Sequence, residues 1–167
     1  MKKIFIFILV TLLFCLLTAC SKEGADVKIC MDIHNDKSII RFVSTRRGNI
    51  ARLENLFGGN SGYTADLIYN SIKDQLIPEQ QKLIDGLNDL DGRLKSETIR
   101  ELNKKFSESA VLFMDALNML LTFRGSGDSG LLDRIDEKIK ESDRLFMEWL
   151  PEFQQICRKN GTVFNVN

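Results

Sequence analysis

From Asp36 onward, apolar side chains recur at helical spacing. Ile39, Val43, Ile50, Leu53 and Phe57 keep a near-heptad step, and Gly58-Gly59-Asn60 follows as a stop. Tyr63, Leu67, Ile68, Ile72 and Leu76 predict a second helix. Pro78 suits a first helical position, with Glu79 complementing the dipole of that turn, and Leu83, Ile84, Leu87, Leu90 and Leu94 carry the stripe onward past a break at Asp91-Gly92. Ser96 is an N-cap for a long helix reaching Phe123, and Arg124–Gly130 is a flexible loop. A last long helix is expected from about Leu131 to Leu150, with Leu132, Ile135, Ile139, Phe146 and Trp149 facing inward. Pro151 interrupts it, a short piece holds Phe153, Ile156 and Cys157, and Thr162–Asn167 forms a tail. Residues 27–34 read either way. Val27-Lys28-Ile29-Cys30 alternates as a strand does, while Ile29, Ile33, Ile40 and Val43 share a helical face, and helix is favoured by its surroundings. Periodic helices joined by short polar loops predict an all-α bundle of four or five helices.

The N-terminus has a different pattern. Lys2 and Lys3 precede a run from Ile4 to Leu17 that is apolar except for Thr11. At about 1.5 Å per residue that run is too short for a bilayer core of roughly 30 Å, and it reads as the h-region of a signal peptide. Leu17-Thr18-Ala19-Cys20 closes it, and these residues resemble the lipobox of bacterial lipoproteins. The resemblance implies cleavage before Cys20 and acyl chains on that residue. It divides the chain into a signal peptide over 1–19, a lipidated tether over 20–26 and a helical domain over 27–167. Ser21 stands where enteric-type sorting uses Asp for inner-membrane retention, so the resemblance implies the outer membrane where there is one. It carries no family for the mature domain.

Loss of Lys2 and Lys3 leaves 21 basic against 23 acidic side chains, a net charge near −2. That balance argues against nucleic acid and gives no electrostatic reason for binding an anionic membrane, so membrane attachment is assigned to lipid on Cys20. Of four cysteines, Cys15 leaves with the signal and Cys20 carries lipid. Cys30 and Cys157 remain, and an exported chain makes them a disulfide candidate whose loop closure stabilises by roughly 4–5 kcal/mol. Such a bridge would bring Trp149 and Phe153 to the membrane-proximal end, where Trp suits the membrane–water interface.

Candidate chemistry is sparse. His34 is the single histidine, flanked by Asp32 and Asp36. One histidine cannot supply a di-iron bundle site or H-E-x-x-H, and without C-x-x-C-H the methionines are core filler rather than haem ligands. Gly59–Gly62 lacks the Lys of a phosphate loop, and no G-x-S-x-G elbow exists. Asp133, Asp136, Glu137 and Glu141 are interleaved with Arg134, Lys138 and Lys140, a salt-laced solvent face. No catalytic, metal or cofactor residues are assigned. The stretch Ala110–Phe123 is apolar around nearly its whole circumference, which fits a central bundle helix or a helix covered by a partner. The sequence therefore points to a lipid-anchored envelope protein that binds another protein, as an exclusion or immunity factor, a secretion accessory or a host-ligand binder. The alternatives are a helical carrier of an apolar ligand and an envelope enzyme.

Overall fold

The computed structural model describes residues 22–32, 38–58, 62–126 and 128–164, and it bears out the all-α reading, with no strand among the described residues. Residues 22–31 form α1. The later helices are α2 (Ile39–Phe57), α3 (Ala65–Ser71), α4 (Ile77–Asp91), α5 (Glu97–Ser126) and α6 (Ser129–Lys159). A π-helical turn, Ile72–Leu76, joins α3 and α4 into one rod. Pro78 explains it: proline has no N–H for the Asp74 carbonyl and crowds it, and the widened turn absorbs the misfit. Four long rods with α1 laid on one end make the bundle.

α5 packs chiefly on α6 and α4, and α2 packs on α4. Phe106, Phe146, Trp149 and Phe153 form an aromatic ladder between α5 and α6, with successive centroids 4.6–5.5 Å apart. Phe164, beyond α6, meets Phe153 edge-on at 5.1 Å. Gly161, at φ +71°, turns the chain back after α6, and Thr162 N donates to Cys157 O at 2.8 Å.

Several expectations change. Pro151 does not interrupt α6, which runs unbroken to Lys159. Pro151 withholds an N–H from the carbonyl of Met147, on a turn whose Met147 side chain is 64% exposed, so water can satisfy that carbonyl. The segment assigned as a tether over 20–26 is helical from residue 22. Its Asp26 is buried and Oδ2 accepts from Lys95 N (2.7 Å) and Ser96 N (2.6 Å), which clamps α1 over the start of α5. Asn160 Nδ2 donates to Glu23 Oε1 at 2.8 Å, tying α1 to the end of α6. Helix rather than strand holds at residues 27–31, with Val27 and Cys30 buried.

Candidate functional site

An apolar groove opens at the end of the bundle away from α1. One lobe, of about 330 Å³, lies between α2, α5 and α6 and is lined by residues including Ile50, Leu53, Phe57, Phe113, Ile135 and Ile139. A second, of about 210 Å³, is lined by Ile68, Tyr69, Ile72, Leu121 and Phe123. Phe57, Leu120 and Leu132 line both lobes, so the groove is continuous. Phe57 is 54% exposed and Leu132 45%, and nearby on the same side of the bundle Leu67 and Tyr63 are also exposed. Leu132, expected to face inward, instead stands at the groove's waist. α5 realises both readings of Ala110–Phe123. Ala110, Phe113, Ala116 and Leu117 are buried among neighbouring helices, whereas Met119, Leu120, Leu121 and Phe123 are only partly covered. By length and composition Glu97–Phe123 could cross a bilayer, and 39% of its most apolar stretch is buried within the bundle.

Among the described residues, the charged ones lining the larger lobe are Glu54, Asp136 and Asp143. Asp143 is held there from beneath. Arg46 on α2 donates through Nη2 to Asp143 Oδ1 (2.9 Å) and Ser142 Oγ (3.0 Å), and through Nε to Ser109 Oγ (3.3 Å). Its guanidinium carbon lies 4.5 Å from the centre of the Phe146 ring, close enough for a cation–π contribution. Burial pushes the Arg46 pKa down, and Asp143 opposes that shift. Ser109 and Ser142 also donate to one another's carbonyls, at 2.8 and 2.7 Å. A second buried relay runs from Asn49 Nδ2 to Gln80 Oε1 (3.1 Å) and from Gln80 Nε2 to Ala110 O (2.8 Å). No local pattern marks these polar residues as interior, because their partners lie far along the chain.

The residues singled out from the sequence are scattered. Cys20, His34 and Asp36 lie outside the described residues. Cys30 and Cys157 are both buried in the main core cluster, but the expected disulfide is absent and both thiols are free. Burial raises the Cys30 pKa to about 12, with smaller contributions from Asp26 and Cys157, and the Cys157 pKa to about 11. Each therefore behaves as a small apolar side chain with little thiolate to react. Trp149 and Phe153 are 0% and 1% exposed, so they form core rather than a membrane-facing surface. Their rings complete the ladder on α5, which takes precedence over the polar handle that would favour an interface. The charged side of α6 is a solvent face as expected. Lys140 pairs with Asp136 at 2.5 Å and Lys138 with Asp115 at 2.9 Å, and Arg144 bonds both Glu141 and Glu148. Among the described residues no cluster of His, Cys, Asp and Glu has the arrangement of a metal site. Comparison of the chain with protein-family models, curated proteins and solved structures finds no match.

Proposed function

We propose that this is a lipid-anchored protein of the cell envelope, held through acyl chains on Cys20 in the outer membrane where there is one, that acts by binding another protein in the groove around Phe57, Leu120 and Leu132. The groove is the observation that carries the reading. A chain of this size that exposes Phe57 and Leu132 side by side over a continuous apolar floor presents the kind of surface that proteins use for association. The lobes are open along one side, which suits a ridge of partner side chains better than an enclosed apolar ligand. Of the carboxylates lining the larger lobe, Asp136 is paired with Lys140 and Asp143 with Arg46, which leaves Glu54 to favour a basic group beside the partner's apolar ridge. On this reading the protein works by binding rather than catalysis. Carriage of an apolar ligand in the same groove is the second reading.

Two experiments test this. Labelling cells with a fatty-acid probe should mark the wild-type protein and not Cys20→Ser; equal labelling would remove the anchor. A photo-crosslinking amino acid placed at Leu132 or Phe57 in living cells should give a discrete protein adduct, with none from the exposed control position Met147. Adducts to lipid alone would favour the carrier, and adducts indistinguishable from the control would end the groove reading.

A further inference from the structure

α2 and α4 run antiparallel, with Phe42 against Gly86, Asn49 against Gln80 and Arg52 against Glu79. A cleft of about 430 Å³ opens between them, and it shares no lining residue with the groove around Phe57. Thr45, Gly48, Asn49 and Arg52 line it from α2, and Glu79 and Lys82 from α4. Asn49 is wholly buried, and its amide cannot turn over. Ala110 O can only accept, so Gln80 presents Nε2 to it at 2.8 Å, and Gln80 Oε1 then accepts from Asn49 Nδ2 at 3.1 Å. That leaves Asn49 Oδ1 buried with no donor among the described residues. A buried acceptor without a donor is destabilising, and natural cores hold few of them.

Gly48, next to Asn49, stands in the middle of α2, where glycine weakens a helix. Unlike Gly86, it is not required by packing, because a Cβ there would meet nothing within 4 Å. Its effect is to keep the cleft floor open. The charges are few. Arg52 Nη1 is taken up by Glu79 Oε2 at 2.9 Å, whereas Lys82 has no ion pair among the described residues. Arg41, Asp85 and Asp89 stand on adjoining turns outside the lining, so the site has no large excess of either sign. A ligand that suits this set brings one anionic group for Lys82 and one N–H group for Asn49 Oδ1. A phosphate would call for a second free cation, and Arg52 is engaged. A neutral sugar would leave Lys82 unused. An α-amino acid carries a carboxylate and an ammonium on one carbon. We propose that the cleft between α2 and α4 binds a free α-amino acid, with its carboxylate toward Lys82 and the Thr45 hydroxyl and its ammonium donating to Asn49 Oδ1 beside Glu79. The cleft is within the size range of small-molecule sites. The inference depends on neither the Cys20 anchor nor the groove.

The test uses the full chain in detergent micelles. Each of the common α-amino acids is titrated singly, with binding heat and unfolding temperature as readouts. At least one should bind saturably and raise the unfolding temperature. Its deaminated analogue keeps the carboxylate and loses the N–H group, and it should bind at least about tenfold more weakly because Oδ1 again lacks a donor. Gly48→Leu fills the floor and should abolish binding, yet unfold no earlier than wild type, since leucine is the better helix former. Lys82→Gln, at an exposed residue, should weaken binding by about tenfold with an unchanged unfolding curve. No saturable binding by any of the amino acids overturns the proposal. So does binding that survives Gly48→Leu, and so does equal binding of an amino acid and its deaminated analogue.

Discussion

Arg46 Nη2 meets Asp143 Oδ1 at 2.9 Å, with the arginine side chain 1% exposed and the aspartate side chain 47% exposed. One half of this ion pair is in the core and the other in water. Its Coulomb gain is therefore screened, and much of what Arg46 contributes is packing over Phe146 and donation to Ser109 and Ser142. Arg46→Ala leaves a cavity and should cost about 2–4 kcal/mol in chemical denaturation. Arg46→Met keeps most of the stem volume, and the two serines still bond each other's carbonyls, so its cost should stay within about 1 kcal/mol. Equal losses for the two variants would show that the charge, not the stem, is what matters.

Gly86 on α4 is required by Phe42 on α2. A Cβ there would lie 2.6 Å from two atoms of the Phe42 ring, which is itself buried. Gly86→Ala gains about 1 kcal/mol of helix propensity but overpacks a tight contact, at about 1–3 kcal/mol. A lower melting temperature is expected, partly recovered when Phe42→Leu is added. A variant more stable than wild type would contradict the close approach.

The two buried thiols make stability depend on alkaline pH. Both have folded pKa values, about 12 for Cys30 and about 11 for Cys157, above the ordinary value of 9.0. Above pH 9 the unfolded chain loses thiol protons that the folded chain keeps, so the unfolded state gains and stability falls. The loss begins near pH 9 and ends as each folded pKa is passed, with a slope of up to about 1.4 kcal/mol per pH unit for each thiol. Below pH 9 the thiols contribute no slope. Cys30→Ala with Cys157→Ala should flatten the decline between pH 9 and 11 relative to wild type under reducing conditions. Parallel curves would refute the burial effect.

Leu132→Glu separates recognition from folding. Leu132 is 45% exposed, so the change should move stability by no more than about 0.5–1 kcal/mol. It places a further carboxylate at the waist of a groove already lined by Glu54, Asp136 and Asp143. The partner adduct captured from Phe57 should disappear while the unfolding curve stays in place. Retention of the adduct would mean that the groove is not the contact.

The long rods were legible because each buries one stripe: Leu83, Leu87, Leu90 and Leu94 on one side, Phe146, Trp149 and Phe153 on another. Pro151 misled because its cost depends on whether the freed carbonyl can reach water, which a local pattern does not contain. The groove was half legible in the all-round apolarity of Ala110–Phe123. Which part of that stretch is covered depends on α2 and α3, whose placement no local pattern fixes. Arg46 reads as an ordinary surface arginine, since Ser109 and Asp143 are 63 and 97 residues away.

The clamp made by Asp26 and Glu23 has a consequence in time. Asp26 waits for amides 69 and 70 residues downstream, and Glu23 for a side chain 137 residues downstream. A chain made and moved from its N-terminus presents α1 long before its dock exists. Until α4 has led into α5 and α6 is complete, neither carboxylate of α1 has its partner. The fold thus sets an order of events in which the first helix made is the last to dock.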